Sequence, residues 1–293
     1  MRRVLVTGAN KGIGRAIVAA ILEQGNDTFA ILGSRDITRG QEAKKALTAG
    51  QSGWEERILV VQLDVTSDDS VNQAANTVKG QFDDATPLYA VVNNAGIGLG
   101  TSSLSKVLDV NVQGIHRVCT AFLPLISENG RIVNITSASG PNFVNKCSPE
   151  KQQFFLDKDV TWEALSQLIE ESLEIEGNTS AFEERGLSDG SAYGLSKALA
   201  NSYTMMLAKA HPNLKCNACT PGFIETDLTR PYAEASGRTP TDMGMKTPKE
   251  GSRSAIHLLF GELEGNGWYY GSDAQRSPLD RYRSPGAPPY QGE

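Results

Sequence analysis

Cysteine and histidine are scarce in this chain, four and three among 293 residues. Four thiols over such a length cannot form the dense disulfide framework that staples small secreted folds. Cys216 and Cys219 have a C-x-x-C spacing, but they lie in an apolar run that reads as a strand, where residues i and i+3 face opposite sides. Cys119 reads as helix core, and Cys147, alone in a polar stretch, is expected to be exposed. His116, His211 and His257 lie far apart in helical patterns with no second ligand nearby, so they read as structural or surface residues and no metal site is expected. Basic charge is not in excess either. The chain has 28 Lys and Arg against 34 Asp and Glu, a net charge of -6, which argues against nucleic acid or an anionic membrane as partner. Long apolar runs are missing: the longest, Ala16 to Leu22, falls far short of the roughly 20 residues a spanning helix needs. Met1-Arg2-Arg3 leads straight into apolar Val4-Leu5-Val6 with no secretory h-region, so a cytoplasmic location is expected. What remains, at 39% hydrophobic and 21% charged, is an ordinary globular composition.

Within that composition the chain alternates. Short β-rich runs at Val4 to Thr7, Phe29 to Gly33, Ile58 to Leu63, Tyr89 to Asn93, Arg131 to Ile135, Leu214 to Ala218 and Trp268 to Tyr270 are separated by helical patterns. The helical segments are Ile13 to Gln24, Gln41 to Ala49, Ser67 to Lys79, Ser103 to Ile126, Ala192 to Ala210 and Pro248 to Leu259, the last opened by a capping box with proline at its first position. Such alternation predicts an α/β fold, a doubly wound parallel sheet of about seven strands with helices on both faces. A single domain over residues 1–276 is expected. Residues 146–190 interrupt the alternation with eleven acidic against four basic residues, a net of -7, and with Trp162, Leu165, Leu168, Ile169 and Leu173 at helical spacing. That stretch reads as an ordered helical insertion with an acidic face. The Pro-rich tail, 277–293, is expected on the surface or mobile.

Chemistry concentrates at three places. The first strand ends in Thr7-Gly8-Ala9-Asn10-Lys11-Gly12-Ile13-Gly14 and a helix follows at once. Glycines at such a turn let the backbone approach a pyrophosphate, whose charge sits at the positive helix N-terminus. The second strand ends at Ser34-Arg35, where a dinucleotide fold reads the adenosine ribose. A carboxylate there would take a free 2′-hydroxyl, whereas a guanidinium would pair with a 2′-phosphate, around which Arg35, Lys11 and Arg39 could gather. Asp36 argues the other way, but it lies one residue past the strand end, where it can point away or pair with an arginine. Third, Tyr193 and Lys197 stand at i and i+4 on one helical face. A neighbouring ammonium stabilises a phenolate and brings tyrosine toward the range of a general acid or base. Taken alone, this pair also occurs by chance on exposed helices.

Together with Asn93-Asn94-Ala95-Gly96, Asn111, Ser137 and Pro221-Gly222, these motifs stand in the order and context of the short-chain dehydrogenases/reductases, which the chain resembles over nearly its whole length. Within that superfamily it is similar to the monomeric NADPH-dependent carbonyl reductases, on Asn10 to Gly14, Arg35-Asp36 with Thr38-Arg39-Gly40, Cys147-Ser148-Pro149-Glu150 and the insertion between Ser137 and Tyr193. It departs from their pattern at Thr220, where they carry a cysteine before the Pro-Gly turn.

The resemblance implies NADPH-dependent reduction of aldehydes, ketones or quinones in a Rossmann-type fold. Tyr193 would donate the proton, and Lys197 would lower its pKa and hold the nicotinamide ribose. Ser137 would orient the carbonyl, and Asn111 would hold a water linking Lys197 to solvent. Asp64-Val65 would contact the adenine, and Asn93, Ala95 and Gly96 would line the cofactor cleft and support the sheet. Pro221-Gly222 with Thr226 would flank the nicotinamide. Phe223 and Tyr232 open a variable segment, Phe223 to Lys246, expected to cover a small-molecule carbonyl substrate. The insertion is expected to keep the chain monomeric. Two alternatives stay open, an enzyme dedicated to one terpenoid, alkaloid or steroid-like metabolite, and a non-enzymatic NADPH-binding regulator, which would keep the glycine turn and lose Tyr193 or Lys197.

Overall fold

The computed structural model describes residues 1–82, 84–98 and 103–292. Its strands are β1 (Arg2–Val6), β2 (Thr28–Ser34), β3 (Ile58–Gln62), β4 (Leu88–Asn93), β5 (Ile126–Ile135), β6 (Lys215–Cys219), β7 (Tyr269–Tyr270) and β8 (Arg276–Ser277), joined in one sheet in the order β3-β2-β1-β4-β5-β6-β7-β8. The first seven run parallel and β8 returns antiparallel to β7. An eighth strand thus joins the seven expected, and it crosses the expected start of the tail. The chain winds outward in one direction from β1 and in the other from β4. The crevice beyond their C-terminal ends is where open sheets of this kind bind ligands.

Helices α1 (Gly12–Glu23), α2 (Ile37–Thr48), α3 (Asp68–Gln81), α4 (Leu104–Leu108), α5 (Gly114–Phe122), α6 (Ser139–Val144), α7 (Pro149–Leu156), α8 (Trp162–Glu174), α9 (Thr179–Glu184), α10 (Ala192–Ala210), α11 (Arg230–Ser236), α12 (Pro248–Gly251) and α13 (Arg253–Phe260) complete the fold. Strand side chains alternate between two cores. Val71, Leu108, Val118 and Leu199 from α3, α4, α5 and α10 pack with Leu5, Ile31, Val91 and Ile132 on one face. On the other, Ile17, Ala43 and Leu258 from α1, α2 and α13 pack with Val4, Leu32, Val92 and Val133. Cys216 belongs to the first core and Cys219 to the second, so the C-x-x-C pair is split across the sheet as the strand reading requires.

The insertion supplies α7 to α9 and buries Phe155, Leu165, Leu168, Ile169 and Phe182 in the first core. His116 fastens it: its ring stacks on Trp162 with centroids 3.7 Å apart, and its Nδ1 lies 3.1 Å from the Tyr203 hydroxyl on α10. Cys147, expected to be exposed, is 6% accessible, because the insertion folds back over it; burial pushes the thiol up to about 12.

Three helical expectations change. Helix α2 begins at Ile37, four residues early, because Asp36 caps it by accepting from Arg39 N at 3.1 Å. The single helix expected over Ser103 to Ile126 is broken by a π-turn, Asp109–Gln113, in which Gly114 N bonds to Asp109 O, and Ile126 already belongs to β5. The last helix divides at Ser252 into α12 and α13, with the capping box on Thr247 and Glu250 in place.

Candidate active site

The glycine turn between β1 and α1 is shaped by backbone. Gly8 and Gly12 have φ of +61° and +55°, which side chains rarely adopt. A Cβ at Gly14 would fall 2.5 Å from Asn94 Nδ2 and 2.6 Å from Gly8 O. Asn94 ties the end of β4 to this turn: its Nδ2 donates to Thr7 O at 2.9 Å and to Gly8 O at 3.2 Å, while Thr7 Oγ1 accepts from Asn94 N and Ala95 N, both at 3.0 Å. The cleft so formed, about 790 Å³, is lined by Gly8, Asn10, Lys11, Gly12, Ile13 and Gly14 of the turn, by Arg35 and Arg39, by Asp64 and Val65, and by Ala95, Gly96 and Thr226. All were expected there. Asn93 was expected and is absent: it points into the sheet, 3% accessible, and donates to Asn134 Oδ1 at 2.8 Å. Strand alternation sends residues 93 and 94 to opposite sides, and Asn94 takes the lining role.

At the ribose-reading corner, Asp36 is committed to capping α2 and to an ion pair with Arg39 Nε at 3.6 Å. Arg35 has no ion-pair partner among the described residues. Lys11 lines the same cleft and holds an ion pair of its own. Its ammonium pairs with Asp227 at 2.7 Å, and Asp227 also holds Arg230 at 2.8 Å, so a strap of charge joins the glycine turn to the segment after Pro221-Gly222.

A second cavity, about 430 Å³, adjoins the first; Ile13, Asn94, Gly96 and Thr226 line both. Ser137, Tyr193, Lys197, Pro221, Gly222, Phe223 and Tyr232 line it, as expected. Close helix contact brings Ser137 and Tyr193 together across 56 residues of sequence. A Cβ at Gly140 of α6 would fall 2.9 Å from the backbone of Lys197, and one at Gly194 of α10 would fall 3.1 Å from Phe143, so two glycines let α6 and α10 meet. Gly98 does the same for the ring of Tyr193, whose Cδ2 would lie 2.1 Å from a Cβ there. Lys197 is buried, with Nζ 5.5 Å from the Tyr193 ring centre and donating to Ile135 O at 3.1 Å. Burial depresses Lys197 to about 8. Burial also pushes Tyr193 up, against the pull of the Ser137 hydroxyl, so the phenol stands above its ordinary value where the spacing to Lys197 had suggested a depression. Asn111 is fully buried inside the π-turn and clamps Ile97 from both sides. Its Oδ1 accepts from Ile97 N at 2.9 Å, and its Nδ2 donates to Ile97 O at 2.8 Å and to Ser196 Oγ at 3.0 Å. Its side chain therefore acts as a clamp on the loop.

The family model described as short chain dehydrogenase matches residues 2–149. The NADPH carbonyl reductase 1 of Sus scrofa is 35% identical over 263 residues, covering 84% of this chain and 85% of that protein. The chain belongs to the short-chain dehydrogenase family. The (+)-neomenthol dehydrogenase of Arabidopsis thaliana is 34% identical over 288 residues, covering 88% of this chain and 91% of that protein. Among solved structures, salutaridine reductase from Papaver somniferum superposes with a TM-score of 0.76 at 25% identity, over 92% of this chain and 99% of that one. As a short-chain dehydrogenase the protein is an oxidoreductase that works with a nicotinamide cofactor, and its cleft fits one. Three glycines clear the backbone where a pyrophosphate would approach, and the cleft leads from two arginines to the cavity that holds Tyr193 and Lys197.

Two features of this dehydrogenase escaped the sequence reading. Asn94 and Gly98 are positioning residues whose signal was present, one inside the Asn93-Asn94-Ala95-Gly96 motif and one two residues after it. The second feature is the tail: Arg281, Tyr282, Arg283 and Pro285 line the cavity of Ser137 and Tyr193. Nothing in a polar, Pro-rich stretch announces that placement.

Proposed function

We propose that the chain reduces aldehydes, ketones or quinones to alcohols, with NADPH as the reductant. The observation that carries this reading is the meeting of Ser137, Tyr193 and Lys197 in one cavity that opens into the glycine-turn cleft. Bound in the cleft, the cofactor supplies hydride. The Ser137 hydroxyl donates to the carbonyl oxygen and orients it. Tyr193 Oη gives that oxygen a proton as negative charge develops on it. Burial keeps the phenol protonated at rest, and the Lys197 ammonium, still mostly charged at pH 7 with a pKa about 8, stabilises the phenolate left behind. Asn111 and Gly98 hold the loop beside these groups. Arg35 and Arg39 favour a 2′-phosphate, and Asp36 does not compete because capping and Arg39 engage its carboxylate.

The test is loss of NADPH absorbance with a small aromatic aldehyde, present in the wild type and lost in Tyr193→Phe. A dedicated enzyme for one terpenoid or alkaloid is the second reading, supported by the likeness to neomenthol dehydrogenase and salutaridine reductase. A panel in which one compound exceeds all others by several orders of magnitude in kcat/KM would establish it. We also propose a cytoplasmic monomer. Among the described residues no helix is long and apolar enough to cross a membrane, and the acidic insertion covers α10, the helix bearing Tyr193. Light scattering at micromolar concentration should give the 31.5 kDa of one chain, and twice that mass would overturn the monomer.

A further inference from the structure

Five large hydrophobic side chains stand exposed among the described residues, Met1, Ile37, Phe223, Tyr232 and Tyr282. Three of the five, the aromatic ones, line one cavity, that of Ser137 and Tyr193. Phe223 and Tyr232 come from the segment after Pro221-Gly222, whereas Tyr282 comes from the tail and is 52% accessible. Exposed rings gathered around a catalytic pocket mark a surface that awaits an apolar occupant.

The tail that presents Tyr282 is fixed in place. The Arg283 side chain is 7% accessible and forms an ion pair with Asp273, which sits in the turn between β7 and β8. Its Nε donates to Ser277 Oγ at 3.0 Å and its Nη1 to Ala287 O at 2.6 Å. The second Asp273 oxygen accepts from Gly286 N at 3.0 Å. Burial alone would raise Asp273, but Arg283 and the backbone N–H groups of Gly286 and Gln275 hold it below the usual carboxylate range. One largely buried ion pair thus ties both ends of the 277–287 stretch around Tyr282, with the Arg283 guanidinium spreading its donors over Asp273, Ser277 and Ala287.

We propose that this fold-back is a specificity-determining wall of the substrate site, with the Tyr282 ring as a stacking face for a planar aromatic carbonyl compound and the Arg283–Asp273 pair as its positioning element. The proposal rests on the carbonyl-reducing reading for its reaction, but not for its binding. Two rings and a third at the mouth favour a flat π-system over a small aliphatic carbonyl, because ring pairs add a geometry-dependent attraction beyond area burial.

The experiment measures both binding and turnover. 2-Naphthaldehyde is titrated calorimetrically into the NADP+-loaded protein, and its kcat/KM with NADPH is compared with that of propanal. Tyr282→Ala should weaken naphthaldehyde binding roughly 3- to 10-fold and lower the naphthaldehyde-to-propanal ratio of kcat/KM by a similar factor, the size of one aromatic contact. Tyr282→Phe, which keeps the ring, should restore both. Asp273→Asn and Arg283→Lys, which release the wall without removing the ring, should lower the ratio at least as far. An unchanged ratio and unchanged binding in Tyr282→Ala would overturn the wall while leaving carbonyl reduction intact. Tight naphthaldehyde binding that depends on Tyr282, with no turnover of either carbonyl in the wild type, would support the wall and overturn the reaction.

Discussion

Where β1 and β4 end, the chain approaches itself so closely that one added methyl at Gly14 would reach within 2.6 Å of a carbonyl oxygen, whereas the cavity beyond Tyr193 is walled by rings of which Phe223, Tyr232 and Tyr282 are each at least 40% exposed. The cofactor side is backbone against backbone, set by glycine φ angles and the Asn94 bridge. The substrate side is assembled from side chains on segments far apart in sequence. The contrast teaches what each side can vary: the first must fit one invariant shape, while the second can change its occupant by exchanging rings without moving the scaffold.

Tyr193 stands at the junction, and its loss should give the largest effect. Tyr193→Phe is expected to lower kcat roughly 10²- to 10⁴-fold, the range of general acid catalysis, with NADPH affinity retained in fluorescence titration. Turnover within tenfold of wild type would remove Tyr193 as the proton donor. Arg35→Ala sharpens the contrast within the cofactor side. Loss of one charge-assisted contact costs roughly 1.5 to 3 kcal/mol, so NADPH should bind about 10- to 150-fold more weakly while NADH changes little. An equal loss for both cofactors would assign Arg35 a role unrelated to the 2′-phosphate.

Lys197 couples the site to stability. Burial lowers its pKa from 10.5 to about 8, so the folded protein binds this proton less tightly than the unfolded chain does. The charged lysine therefore opposes folding by up to about 3 kcal/mol below pH 8, and the opposition fades as pH rises from about 8 toward 10.5. Lys197→Met should abolish turnover yet melt higher than wild type at pH 7, with the gap closing by pH 10. A lower melting temperature at pH 7 would mean that the bond to Ile135 outweighs desolvation. The smallest expected effects test the contrast itself. Gly14→Ala should cost about 1 to 3 kcal/mol by overpacking and weaken both cofactors, whereas Phe223→Ala should change stability by no more than about 0.5 kcal/mol. Equal stability losses in denaturant unfolding would dissolve the distinction between the two sides.

Much of this arrangement was legible where the signal is local. The glycine turn, the Tyr193–Lys197 spacing and the bounds of α10 are short-range patterns, and the structure places them as read. Ser137 and Asn111 were found through family context, since a serine at a strand end and an asparagine in a helix carry no signal of their own. Long-range contacts left no such signal. Lys11 pairs with a carboxylate 216 residues away, and Arg283 draws the tail back to a turn before β8. Asn93 supports the sheet as expected but does not line the cleft, because the motif was taken as a block although its members face different sides.

The π-turn at Asp109–Gln113 has a consequence for length variation. A π-turn carries one residue more than the α-turn it interrupts, so the length of the 109–113 stretch sets the direction in which Asn111 projects. Deleting Asp109 or Val110 would regularise the helix, rotate Asn111 about a quarter turn relative to α4 and carry its amide away from Ile97. At this place a one-residue deletion that improves local helical geometry would undo the clamp on Ile97 beside Tyr193.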